Sequence, residues 1–115
     1  MYLVGAAHPH KSDAQRRLER LINDRERLVT DSQALQEILH RYVAINRLDA
    51  ILRIVDEVIA IDPAAVEKAK QIVLAYRHLS ARYAVHLAVM QQRGISRILS
   101  FDSGFDTVFG VTRIF

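Results

Sequence analysis

The residues of this chain best placed to do chemistry lie between Ser100 and Asp106, in the run Ser-Phe-Asp-Ser-Gly-Phe-Asp. Asp102 closes a short apolar run, Arg97–Phe101, that suits a buried strand, and Asp106 follows one helical turn later around the flexible Ser103-Gly104 pair. Carboxylates just past the C-terminal end of a strand matter because open α/β sheets bind their ligands at that edge. His8, His10 and Asp13 are a second set of metal-ligating types. Loop histidines beside a helix start are more often solvated than metal-bound, so that set is read as surface. With no cysteine in the chain, a thiol nucleophile, a zinc–thiolate site and a disulfide framework are all excluded.

The elements that must carry these residues follow from hydrophobic spacing. Ser80 is a plausible N-cap for a helix in which Ala81, Ala84, Val85, Ala88 and Val89 recur at helical spacing and Gly94 supplies the stop. Leu87 and Met90 widen its apolar surface beyond one stripe, which predicts cover on more than one side. Upstream, Ser12 or Asp13 can cap a helix reaching about Asn23, with Ala14, Leu18, Leu21 and Ile22 as its inner face. Its arginines (Arg16, Arg17, Arg20, Arg25, Arg27) alternate with Glu19, Asp24 and Glu26 and read first as a solvated face, with guidance of RNA as the functional alternative.

Leu28–Thr30 is the next strand candidate, closed by Asp31-Ser32, which doubles as an N-cap. The following helix buries Leu35, Ile38, Leu39, Tyr42 and Val43. On that wheel Glu37 lies opposite, as a surface residue spaced for an i,i+4 pair with Arg41. Leu48, Ile51, Leu52 and Val55 continue at helical spacing past a possible break at Asn46. Val58–Ile61 is a third strand, and Asp62-Pro63 is a strong helix start with proline at the first helical position. Val111–Phe115 is a candidate edge strand.

Strands alternating with amphipathic helices predict a three-layer α/β/α sandwich around a small, mostly parallel sheet. The 115 residues suffice for a single domain spanning 1–115 with one core. A formal charge of +3 is compatible with a polyanionic partner without demanding one. No apolar run approaches the ~18 residues of a membrane span, and Met1–Ala7 lacks the basic flank of a signal peptide, so the chain is expected to be cytoplasmic.

Four segments together resemble the PIN-domain family and, within it, the VapC-type toxins of toxin–antitoxin pairs: Met1–Asp13 (MYLVGAAHPHKSD), Thr30–Tyr42 (TDSQALQEILHRY), Leu79–Met90 (LSARYAVHLAVM) and Ile98–Asp106 (ILSFDSGFD). The resemblance implies a ribonuclease that uses Mg²⁺ or Mn²⁺, held by clustered carboxylates, to hydrolyse RNA phosphodiester bonds. It also implies a homodimer and a VapB-type antitoxin whose arginine-bearing tail enters the acidic pocket. The family's acids fall on Glu37 and Asp102 as catalytic and metal-binding residues, with Asp106 as an auxiliary metal ligand and Ser100 as the supporting hydroxyl.

Two positions depart from the pattern. The family's third acid is replaced by Tyr83, whose phenol is neutral at pH 7 and a poor ligand for Mg²⁺. The aspartate that ends the family's first strand, and that strand itself, have no counterpart ahead of Met1, which makes the domain N-terminally incomplete. Three outcomes are open for the sheet: its strands close up, Met1–Val4 is drawn into the gap, or the product starts upstream. For function, the resemblance supports an endoribonuclease toxin, while the two departures support an inactive relative that retains dimerisation and antitoxin or RNA binding. A third reading, an unrelated basic helical module, predicts that Glu37 and Asp102 lie far apart.

Overall fold

The computed structural model describes residues 1–3, 20, 23, 24, 27–45, 55–100 and 102–114. The arginine-rich helix expected from Ser12 to about Asn23, the His8, His10 and Asp13 set, and most of the apolar positions after Asn46 lie outside the described residues.

Five strands form one parallel sheet: β1 (Tyr2–Leu3), β2 (Val29–Asp31), β3 (Glu57–Ile59), β4 (Arg97–Leu99) and β5 (Thr112–Ile114). Their spatial order is β3-β2-β1-β4-β5. The middle slot, for which the sequence offers no family strand, is filled by Tyr2–Leu3. In this sheet the opening residues are drawn into the gap. Tyr2 sits opposite Val29 on one side and Ile98 on the other, and Leu3 sits opposite Leu99. Thr30 pairs with Val58 and Ile98 with Arg113, so the C-terminal ends of all five strands share one edge. The last strand is an edge strand, as its sequence suggests.

Helix α1 (Ser32–Ile45) follows β2 directly, while α2 (Pro63–Ala75) and α3 (Ala81–Gln92) both lie between β3 and β4 in the chain. Each starts where its capping residue accepts from an amide three positions on. Asp31 Oδ1 accepts from Ala34 N at 2.7 Å, Asp62 Oδ1 from Ala65 N at 2.7 Å, and Ser80 Oγ from Tyr83 N at 3.2 Å. These bonds satisfy amides that have no intrahelical acceptor. Gly94 ends α3 with φ +65°, a conformation that would strain an L side chain.

The core gathers on α3. His86, Leu87, Ala88, Val89 and Met90 are five consecutive buried residues, so the helix is covered on most of its circumference. They pack with Tyr2, Val29 and Ile98 of the sheet and with Ala65, Ala69 and Ile72 of α2. The outer side of α2 leaves Leu74 65% exposed, against 0% for Leu87. Truncating Leu87→Ala removes close-packed contacts and should cost about 2–5 kcal/mol, whereas Leu74→Ala should stay within about 0.5 kcal/mol. Urea unfolding of the two variants beside the parent checks this contrast.

Candidate functional site

A parallel sheet ordered 3-2-1-4-5 reverses its winding direction at β1, because the chain proceeds from β1 through β2 to β3 and then crosses back to β4. The crevice outside the strand ends at such a reversal is where open α/β sheets hold ligands. Here that edge is lined by the residues that end β2, follow β4 and open α1 and α3.

Asp102 follows β4 and caps the 3₁₀ turn Ser103–Thr107. Its Oδ1 accepts from Gly104 N at 2.8 Å, its own amide donates to Ser100 Oγ at 3.1 Å, and Tyr83 Oη donates to its Oδ2 at 2.6 Å. Ser100 is thus the hydroxyl that sets the backbone before the acid, and it is buried. The Tyr83 ring lies 4.7 Å from that of the buried Phe105. Burial, followed by the bond to the Asp102 carboxylate, pushes the Tyr83 phenol up to about 12, so at neutral pH it keeps its proton and acts as a donor.

Glu37 lies on α1 and accepts from Arg82 Nη1 at 2.7 Å. The i,i+4 pairing with Arg41 read from the wheel gives way to this tertiary partner, 45 positions away; the Arg41 side chain lies outside the described residues. Arg82 and Tyr83 are adjacent in the first turn of α3, so Glu37 and Asp102 are drawn to the same end of one helix. The module reading that sets them far apart does not describe this arrangement. Asp106 is bound in a bidentate fork by Arg113 of β5, with Nε at 2.7 Å and Nη2 at 3.0 Å from its oxygens. That contact holds the Asp106 carboxyl below the usual range. Arg113 Nη1 also donates to the Ser100 carbonyl at 3.3 Å.

Beneath this edge lies a network that the sequence does not announce. Asp31, at the end of β2, is fully buried. Its Oδ2 accepts from the Tyr2 hydroxyl and from His86 Nδ1, the latter at 2.5 Å. A carboxylate can only accept, so the imidazole carries its proton on Nδ1 in this contact. Burial drives the Asp31 pKa up, but the hydrogen bond and charge of His86, the Tyr2 hydroxyl and the Ala34 amide outweigh it, and the net direction is down. Burial, with the nearby Asp31 charge, raises the Tyr2 phenol strongly. His86 Nε2 is buried and has no hydrogen-bond partner among the described residues. The available signals were an aspartate abutting an apolar strand and a histidine among apolar helix residues, but nothing local joins positions 55 apart.

A hard divalent cation needs several oxygen ligands converging on one point. In this set Glu37 is taken by Arg82, Asp106 by Arg113, and both Asp102 oxygens by Tyr83 and Gly104. Among the described residues no group of three or more His, Asp or Glu side chains is disposed to hold a metal ion. The residues present therefore do not fit Mg²⁺ or Mn²⁺ as they stand.

Residues 1–110 match the PIN domain family. A VapC ribonuclease of Mycobacterium bovis and ribonuclease VapC13 of Mycobacterium tuberculosis are each 54% identical over 121 residues, covering 99% of this chain and 92% of theirs. Ribonuclease VapC23 of Mycobacterium tuberculosis is 39% identical over 115 residues, covering 95% of this chain and 91% of its own. Among solved structures, a chain of a toxin-antitoxin complex from Klebsiella pneumoniae superposes with a TM-score of 0.73 at 12% identity, covering 96% of this chain and 94% of that one. Mycobacterium tuberculosis VapC20, a sarcin-ricin loop cleaving toxin, gives 0.64 at 21% identity, covering 91% and 92%. The chain belongs to the PIN-domain family and, within it, to the VapC group. Its three-layer α/β fold is that of the family.

Because the folded pKa of Asp31 lies below its unfolded value of about 3.9, its stabilising contribution is complete above that pH and disappears as pH falls through the folded value. Asp31→Asn should cost about 3–5 kcal/mol at pH 7, since it breaks a buried pair and strands its partners. It should also flatten the acid limb of the stability–pH curve below about pH 4. Denaturant titrations from pH 3 to pH 7 read both effects.

Proposed function

We propose that this protein is the toxin member of a type II toxin–antitoxin pair, a VapC-like endoribonuclease by lineage whose substrate is RNA and whose restraint is a VapB-type antitoxin. The observation that carries this reading is 54% identity to VapC ribonucleases across 99% of the chain. In this reading the protein works in the cytoplasm as a homodimer. Among the described residues no helix is long and apolar enough to cross a membrane, which leaves that placement open to it.

The divalent cation that the lineage implies would supply a more acidic water and offset charge on a phosphate, but no three acids among the described residues converge to hold it. This chain's own residues would supply the frame. Ser100 and Gly104 set the Asp102 carboxylate at the sheet edge, Arg82 holds Glu37 beside the start of α3, and Asp106 is tied back to β5. Glu37 and Asp102 are the residues assigned to the reaction, and Asp106 is auxiliary.

A second reading, a relative that binds antitoxin or RNA without cutting, is favoured by one contact, the Tyr83 hydroxyl on Asp102. A cleavage assay on structured RNA with and without Mg²⁺ separates the two. The first reading expects cation-dependent cleavage by the parent protein that Asp102→Asn lowers by more than the roughly 10–100-fold that loss of a supporting partner brings. Cleavage indifferent to Asp102→Asn would move the reaction away from this edge. The second expects background cleavage by the parent and a gain of about tenfold or more in Tyr83→Asp, worth ~1.4 kcal/mol of barrier.

A further inference from the structure

We infer that Tyr83 and Arg82 close the acidic edge of this chain against divalent cations, so that whatever ligand it receives there is received without a resident metal. The inference rests on the assignment of Glu37, Asp102 and Asp106 to the functional edge made above. It concerns what those carboxylates bind in the resting protein, which can fail separately from antitoxin capture or RNA recognition.

The argument is one of charge and valence. Carboxylates attract a hard cation when several of them face one another with unspent negative charge. Here two guanidiniums, Arg82 and Arg113, already offset two of the three carboxylates, Glu37 and Asp106. The charge left over is that of Asp102. Its Oδ2 accepts a proton donor in the place where a fourth acid would stand, and its Oδ1 is turned to Gly104 N. A cation approaching Oδ2 would meet the Tyr83 hydroxyl proton on the same oxygen and compete with it for that oxygen's lone-pair density. Arg113 Nη1 also donates to the Ser100 carbonyl, two residues before Asp102, at 3.3 Å. A divalent ion would enter beside that fixed positive group.

The three contacts are not equally firm. The Arg82 and Glu37 side chains are 49% and 26% exposed, so solvent weakens their ion pair and it can open readily. Tyr83 is held on both sides, by Asp102 through its hydroxyl and by Phe105 against its ring. Tyr83 is therefore the closing residue and Arg82 its accessory. Asp106 stays paired with Arg113 whichever residue stands at 83.

Mn²⁺ titration tests the inference through cation binding alone, followed by loss of the free-ion electron paramagnetic resonance signal and by the thermal midpoint. The parent chain should leave the Mn²⁺ signal unchanged through millimolar concentrations and show no midpoint shift. The double variant Arg82→Gln, Tyr83→Asp should take up the ion. Its midpoint should rise by about 10 °C or more once Mn²⁺ exceeds the dissociation constant about a hundredfold. A third substitution, Asp102→Asn, should abolish that uptake. Tyr83→Phe keeps the ring and loses only the hydroxyl, so it should fold like the parent and bind Mn²⁺ more weakly than the double variant but measurably. Stoichiometric Mn²⁺ binding by the parent that Asp102→Asn removes would overturn the inference. So would a double variant that is folded by circular dichroism yet takes up no ion. Antitoxin capture, measured separately, bears on the proposed function and leaves this result standing.

Discussion

The Asp31 carboxylate is the contact on which the rest of this structure hangs. It ends one strand, caps the helix that follows, receives the phenol of the central strand and the imidazole of the most buried helix. Four elements from three separate stretches of the chain therefore meet at one side chain. A charge buried that deeply is tolerable only when its lone pairs are spent, and here they are spent on donors from three different segments. The arrangement acts as a gauge between α1 and α3. Glu37 rides on the first helix and Arg82 with Tyr83 on the second, so their spacing is set from below.

Above this buried hub the polar edge is organised around hydrogen bonds internal to the chain. The first turn of α3 supplies both the cation for Glu37 and the hydroxyl for Asp102. In a parallel α/β sheet this edge is where strand ends, helix starts and loops all expose polar groups, so acids are expected there whatever the function. In this protein donors from its own backbone and side chains bind Glu37, Asp102 and Asp106. The charge balance turns on Tyr83, which brings a neutral donor to Asp102 where an acid would have brought a second negative charge.

Much of this was legible from residue types and spacing. The caps at Asp62 and Ser80, the stop at Gly94 and the strand preceding Asp102 rest on local rules that bonding partners a few residues apart enforce, and each appears where its residues predict. The consecutive burial of His86 to Met90 was visible as an apolar surface too wide for one stripe. The partners of Glu37, Asp31 and His86 were not legible, because a helical wheel knows only neighbours on the same helix. Asp31 reads as a routine cap, and capping residues ordinarily face water. Its burial follows from Tyr2 entering the sheet centre, which no periodicity in a segment of two paired residues can signal. Tyr83 was readable as a departure from the family pattern; that its hydroxyl would seize the neighbouring aspartate required the register of β4 against α3.

The central strand has one further consequence. Among the described residues β1 pairs through Tyr2 and Leu3, and the Asp31 side chain anchors Tyr2 below the sheet. Its flanking strand β4 arrives some ninety-six positions later in the chain, as Tyr2 opposite Ile98 shows. The cost of closing a loop grows only logarithmically with its length, so that long span costs little more than the shorter one to Val29. One phenol therefore joins the two halves of the sheet, since β2 and β4 meet only through the strand that carries Tyr2.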